Sequence, residues 1–319
     1  MTTNTLFHVD ADRISQTLNY PYLIASLRQT HADFDMPLLD RRITASNVDR
    51  LVNLTAWAAG RAIAVKLVGV FPANVNRPEP EPSIQGIVVL LDGSTGRPMM
   101  TCDGAEITNR KTAADSALGA DYLARKDART LLVLGAGGLA PHMIRAHLTV
   151  RPTIDNILIW NRNPEKAERV AVELANEGIK VHVALSLDDA IPQADIISSV
   201  TMATEPLIKG AWLKPGAHVD LVGSYMAEMR EADDETMRRA AVICMDTREG
   251  YDCTGDIIQP LQAGIIQYGD IQADHFELAR AQHSGRQSDD QITVFKNIGG
   301  AHLDLFATLA LYNRITGKE

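Results

Sequence analysis

Cysteine is scarce in this chain: Cys102, Cys244 and Cys253 stand at unrelated spacings, with no CxxC pair. An odd number so placed excludes a disulfide framework and any legible zinc or redox motif, so reduced thiols and no metal site are expected. Clusters of Lys and Arg are missing too, and the net charge is -9. Neutralising phosphate backbones needs such clusters, which excludes nucleic acid as a partner. No apolar run reaches the length that spans a bilayer, and the first residues, MTTNTLFHVDADRIS, lack the basic start and apolar stretch of a targeting segment. No membrane partner is expected, and the expected location is cytoplasmic. Internal repeats and low-complexity tracts are also absent.

What the chain does have is core material. With 319 residues, 45% hydrophobic and 22% charged, it reads as a globular enzyme of two domains. Residues 10–33 carry Ile14, Leu18, Leu23, Ile24 and Leu27 at helical spacing, with a break or kink at Pro21. From 37 to 101 the texture is β-like, with AIAVKLVGV at 62–70 and IQGIVVLLDGSTGRPMM at 84–100, where DGSTGRP is hairpin punctuation. NVNRPEPEPS between them reads as an exposed loop. A helix over about 104–124 follows. Strand-like runs at 130–135, 156–161, 179–184, 195–200, 217–222 and 241–246 then alternate with helical or loop segments, the pattern of a parallel sheet covered on both faces. ITVFKNIG reads as a further strand and Ala301–Ile315 as a closing helix.

The run LLVLGAGGLAPHM places a glycine turn between a strand and a helix. Gly135 and Gly137 take the first two positions of a GxGxxG/A pattern and Ala140 the third, with Gly138 and Leu139 between. The first glycine permits the tight turn, the second lets backbone approach a pyrophosphate, and the alanine keeps helix and strand close. The helix N-terminus then faces the phosphates. Glycine also ends strands for purely structural reasons, but the strand before, the helix after and the second strand ending in IWNR favour a dinucleotide. An acidic residue at that second strand end would accept a ribose 2′-hydroxyl, whereas Asn161 and Arg162 suit a 2′-phosphate, so NADPH is preferred and NADH is the weaker donor. Thr201, Met202 and Val222 end later parallel strands, where ligands collect in open α/β sheets. His142, on the first helical turn, reads as cofactor-adjacent or surface and not as a base.

With RRITAS, VKLVGVFPAN, KTAADSALGADYLA, GAGGLA, IWNR, VTMATEPLIKGAWLKPGAHVDLVGS, READDETMRRA and TVFKNIGGAHLD in place, the chain resembles the ornithine cyclodeaminase and mu-crystallin family from about Arg42 to the closing helix. The resemblance implies an α/β architecture in which a doubly wound Rossmann domain, residues 116–289, is inserted into a β-rich α+β substrate and dimerisation domain, residues 1–115 plus 290–319. It also implies a homodimer. Cyclodeaminases of the family carry an aspartate where this chain has Tyr225 and a glutamate where it has Asn53, which disfavours ornithine cyclisation. The likeness is nearest to the cyclic ketimine reductases. It implies NADPH-dependent reduction of delta-1-pyrroline-2-carboxylate to L-proline, with the six-membered piperideine homologue, giving L-pipecolate, as a second substrate. An ornithine cyclodeaminase or amino-acid dehydrogenase, and an NADPH-dependent ligand-binding protein of mu-crystallin type, are the alternatives.

Lys66 is the one charge in the apolar run AIAVKLVGV, and such a lysine either lies at a sheet edge or meets a counter-charge. The resemblance makes it the substrate and catalytic lysine. It likewise makes Arg42 the arginine that grips a substrate carboxylate, while Arg41 is expected on the opposite, solvent-facing side of an extended strand. Lys111 stands where the family has arginine before TAA, keeping the charge but not the bidentate fork. Asn74 in FPAN matches a substrate-side position and reads equally as a turn residue. The family places Thr201, Met202 and Val222 near the nicotinamide, and Asn297 where the closing segment returns to the cofactor.

Overall fold

A computed structural model describes residues 6–318, apart from the side chains of Val75 and Tyr251, so the first five residues of the targeting-segment reading lie outside it. The chain forms two compact units, one running to Thr112 and resuming at Ala301, the other spanning Ala113–Gly300.

The first unit begins with β1 (Phe7–Val9), α1 (Ala11–Thr17) and α2 (Tyr20–Asp33). Asp10 and Asn19 cap the two helices by accepting the Arg13 and Tyr22 backbone N–H groups. Pro21 falls in the first turn of α2, where its missing N–H costs no helical bond, so the expected break becomes a clean start. The strands β2 (Leu38–Ser46), β3 (Asp49–Ala58), β4 (Ala62–Val70), β5 (Ile84–Asp92) and β6 (Pro98–Asp103) follow. They form a sheet of order β1-β6-β5-β4-β3-β2, antiparallel except where β1 joins β6. The β5–β6 turn is held by the Asp92 carboxylate, which accepts the Ser94 and Thr95 N–H groups, and Gly96 takes the positive φ of 71° that the turn needs. The C-terminal helix Ala301–Thr316 packs on β4, β3 and β5 and covers the face that presents Ala56, Ala58, Ala62, Ala64 and Lys66. Strand alternation sends Leu51, Trp57, Ile63, Val65 and Leu67 to the other face, where Leu51 and Trp57 are exposed.

The division between the units falls within α3 (Gly104–Leu123). The second unit continues with β7 (Thr130–Leu134), α4 (Leu139–Val150), β8 (Asn156–Trp160), α5 (Pro164–Ala175), β9 (His182–Val183), β10 (Ile196–Ser199), β11 (His218–Leu221), β12 (Ala240–Met245), β13 (Ile271–Asp274) and β14 (Ile292–Lys296). All eight strands are parallel, in the order β13-β12-β14-β11-β10-β7-β8-β9. Strand order reverses between β7 and β10, the point at which doubly wound sheets open a ligand crevice.

Residues 290–300, expected in the N-terminal unit, belong to this second unit. All five residues of β14 are buried and the strand lies between β11 and β12; a strand covered on both faces fits inside a parallel sheet and not at an exposed edge. β13 escaped the sequence reading because IQAD is four residues long and half polar.

The ends of β10 and β11 approach so closely that a Cβ on Gly223 would sit 1.8 Å from the Thr201 carbonyl oxygen and 2.5 Å from its nitrogen. Backbone against backbone cannot yield as a flexible side chain can. Gly223→Ala is expected to destabilise the second unit by about 1–3 kcal/mol, the usual cost of overpacking, read as a lower thermal-unfolding midpoint; an unchanged midpoint would show that the two strand ends can separate freely.

Candidate active site

Lys66 lies on the covered face of β4, and the residue is 5% exposed. Nζ stands 2.9 Å from each carboxylate oxygen of Asp304 on the C-terminal helix, and 3.4 Å from Thr108 Oγ1 on α3. The same carboxylate is 3.2 Å from Lys111 Nζ. All three charged groups are buried, so neither lysine is an edge residue with its amine in water. Burial first, and the neighbouring Lys111 charge after it, lower the Lys66 pKa to about 8, while Asp304 opposes the fall. An ammonium held this close to neutrality gains from a second anion, and a bound carboxylate would supply one.

The strand register decides which arginine shares that face. Lys66 is paired with Leu54, and Leu54 with Arg41, whereas Arg42 is paired with Asn53 and Asn53 with Leu67. Directly opposed residues point to one side of a sheet, so Arg41 lies on the Lys66 face and Arg42 on the other. This reverses the expected orientation of the pair. Arg42 is 78% exposed and donates to Asp40, its neighbour two residues back on the same face. Asn53 shares the Arg42 face and accepts from Thr55. Asn74 is buried, and its amide donates to the Pro82 carbonyl, so in this unit it pins the 77–82 loop.

In the second unit the glycine turn has the geometry its pattern predicts. Gly135 adopts φ 104°, and a Cβ there would meet the Val200 carbonyl oxygen at 2.8 Å. Its N–H donates to the Trp160 carbonyl, joining the ends of β7 and β8. Ala140 is buried against the sheet, whereas Gly137 and Gly138 are exposed, with nothing within 4 Å of where a Cβ would stand. Leu139 opens α4, and Gly138 before it supplies no capping side chain, which leaves the first helical N–H groups for an anionic ligand. The open cradle and the uncapped helix fit a pyrophosphate. Beside them is a hollow of ≈ 420 Å³ lined by Gly137, Gly138, His142, Lys166 and Arg169. The two basic residues, from the exposed side of α5, were not singled out in the sequence. Asn161 donates to the Asn163 carbonyl, Asn163 caps α5, and Arg162 is exposed with no ion-pair partner among the described residues.

The strand ends nearest this turn are tied by one carboxylate that sequence reasoning missed. Glu231 is fully buried; its Oε1 accepts from Ser199 Oγ at 2.5 Å, the Thr201 N–H at 2.7 Å and Thr201 Oγ1 at 2.9 Å, and its Oε2 from the Val222 and Gly223 N–H groups at 3.1 and 2.7 Å. Burial, with Asp256 close by, pushes its pKa up to about 7. Asp256 in turn meets the buried Lys296 at 3.3 Å. Thr201 and Val222 are therefore held in place, while Met202 is 71% exposed. Asn297 is buried and its amide donates to Ser116, which donates to Asp220. Among the described residues no group of His, Cys, Asp and Glu forms a metal site, and no helix is long and apolar enough to cross a membrane.

The signal for Asp304 was present: it is the only charge among the first thirteen residues of the C-terminal helix, AHLDLFATLALYN. Glu231 carried no such signal, because it sits among other acids in READDE.

Comparison with known proteins covers both units. A Delta(1)-pyrroline-2-carboxylate reductase of Paracoccus denitrificans is 43% identical over 260 residues, 80% of each chain. Protein SAR DEFICIENT 4 of Arabidopsis thaliana is 34% identical over 307 residues, 93% of this chain and 94% of its own. The solved structure of Thermococcus litoralis Delta(1)-pyrroline-2-carboxylate reductase in complex with NADH and L-proline is 28% identical, covers 98% of both chains and gives a TM-score of 0.89. The family model for ornithine cyclodeaminase and mu-crystallin matches residues 4–319. A glycine turn on a parallel sheet, a buried lysine pair around one carboxylate and a match that runs through both units lead to one assignment: the chain belongs to the ornithine cyclodeaminase/mu-crystallin family.

Proposed function

We propose that the chain is an NADPH-dependent reductase of small cyclic imine 2-carboxylates that converts delta-1-pyrroline-2-carboxylate to L-proline and accepts the piperideine homologue, in the cytoplasm and as a homodimer. The observation that carries the reading is the buried Lys66 ammonium, with Lys111 at the same carboxylate. Two fixed cations 2.9 and 3.2 Å from one acceptor group suit a second carboxylate, that of the substrate. The identity to named pyrroline-carboxylate reductases supports the same substrate.

In the reaction a hydride adds to the imine carbon and a proton to the nitrogen, turning C=N into CH–NH. The nicotinamide, when bound, supplies the hydride. Lys66 and Lys111 hold the ring carboxylate, and a guanidinium from β2 completes the grip; the register favours Arg41 over Arg42 for that part. Gly135, Gly137, Gly138, Leu139 and Ala140 form the pyrophosphate turn, and Asn161 and Arg162 the 2′-phosphate contact. Thr201 and Val222, fixed by Glu231, with Met202 and Asn297, line the nicotinamide end.

Changing Lys66 to Met keeps the apolar stem and leaves Asp304 with Lys111. NADPH-dependent reduction of delta-1-pyrroline-2-carboxylate is expected to fall by on the order of 100-fold, about 2.7 kcal/mol of lost transition-state stabilisation, with NADPH affinity retained. Full activity in a folded Lys66→Met protein would place the substrate elsewhere.

Arg162→Ala removes a charge-assisted contact worth about 1.5–3 kcal/mol. Titration by cofactor fluorescence should show NADPH affinity falling about tenfold or more with NADH little changed; equal losses for both would reject the 2′-phosphate assignment.

The homodimer reading is supported by the uncovered sheet face of the first unit, where Leu38, Leu51 and Trp57 are exposed at 70%, 48% and 45% beside half-buried Val65 and Leu67. Contiguous apolar surface of that kind marks an interaction site. Sedimentation is expected to show a dimer at assay concentration that Trp57→Glu weakens, and a stable, active monomer would refute it.

A further inference from the structure

We propose that Asp304 is a positioning residue for the reduction: its carboxylate, shared by Lys66 and Lys111, orients the Lys66 ammonium and keeps it charged, so that this triad sets the alkaline limit of activity. The inference rests on the reading of Lys66 as the ammonium that holds the substrate carboxylate. The geometry is specific. Lys66 Nζ stands 2.9 Å from both Asp304 oxygens, which ties its long side chain to the C-terminal helix. Lys111 Nζ stands 3.2 Å from Oδ1 of the same carboxylate. A flexible side chain of this kind gives up considerable rotamer freedom when fixed, and here the protein has fixed it before any substrate arrives.

The groups facing Lys66 act in opposite directions. From α3, Lys111 repels it and the Thr108 hydroxyl accepts from it. From the C-terminal helix, Asp304 attracts it. Its strand neighbours Leu54 and Val88 carry no charge. On β6, the Cys102 thiol is pushed up to about 12 by burial and stays neutral, with Asp103 at the strand end. Arg110 on α3 is turned to Glu106, Ser15 and the Leu18 carbonyl. His31 of α2 meets the C-terminal helix at His302 and Phe306. With Lys66 already lowered to about 8, Asp304 is what stands between it and deprotonation in the neutral range. Replacing Asp304 by Asn leaves the burial and the Lys111 repulsion unopposed, so the Lys66 pKa must fall; replacing Lys111 by Met removes a repulsion, so it must rise.

The test is the pH dependence of kcat/KM for delta-1-pyrroline-2-carboxylate, which reports groups on the free enzyme and free substrate. Titration of the substrate is common to all variants, so the displacement between variants is the readout. Wild type should lose activity above about pH 8. Asp304→Asn should move that limb to lower pH by about one unit or more, costing about fivefold or more at pH 8 and markedly less at pH 6. Lys111→Met, whatever its effect on KM, should move the limb to higher pH. Opposite displacements support the triad. A uniform loss in Asp304→Asn with the limb unmoved would reduce Asp304 to packing and overturn the proposal. If Asp304→Asn does not fold, an unmoved limb in Lys111→Met overturns it equally. Lys66→Met separates the two readings: if it is inactive while Asp304→Asn leaves the limb in place, only the inference fails, and if it retains both activity and the limb, the reading of Lys66 fails with it.

Discussion

A lysine in the middle of an apolar strand imposes a constraint that organises the whole first unit. Removing an ammonium from water costs several kcal/mol unless an anion meets it. No residue of the local hairpin supplies one: Lys66 is flanked on its sheet face by Ala64, Leu54 and Val88. The anion comes instead from Asp304, 238 residues along the chain, on a helix whose first thirteen residues hold no other charge. The C-terminal segment must therefore return to the N-terminal sheet, and the unit is discontinuous for an electrostatic reason as well as a packing one. Lys111, drawn to the same carboxylate, fixes the start of α3 against the same centre.

The second unit meets a different difficulty with a similar device. Parallel strands end in backbone N–H groups that no ladder satisfies, and these ends are where a ligand crevice must stay open. Glu231 accepts from two of them, Thr201 and Gly223, from the Val222 N–H that also donates to Ser199, and from two hydroxyls. Its own N–H and that of Ala232 are held by Asp256, which faces Lys296. The wall of the crevice is thus shaped by a buried carboxylate that need not touch a ligand. Burial and the nearby Asp256 raise the cost of its charge, and the converging donors offset only part of it, so its pKa stands at about 7. Gly137 and Gly138 remain open by contrast, because the fold puts nothing against them.

Much of this was legible along the chain because it depends on local pattern. Alternating strand and helix texture implies a parallel sheet, the run LLVLGAGGLAPHM implies a tight glycine turn between a strand and a helix, and one charge in AIAVKLVGV implies either a sheet edge or a partner. What was not legible involved pairing across distance. The faces of Arg41 and Arg42 depend on a register that one residue of slip would invert, and the strand hairpin places Arg41, not Arg42, on the side of Lys66. Likewise β14 looked like the beginning of the returning segment, but burial on both faces makes it an inner strand of the parallel sheet.

The sequence by itself determined the class of fold, the glycine turn at Gly135, Gly137 and Ala140, and Lys66 as a charge that either reaches water at a sheet edge or meets a partner, since each follows from periodicity or from the cost of burial near the residue itself. Only the tertiary structure decided that Asp304 answers Lys66, that Lys111 shares the same carboxylate, and that Glu231 ties the strand ends. Those choices belong to groups far apart in sequence, and the energy that selects among acidic residues of equal local propensity exists only once burial has removed water from between them.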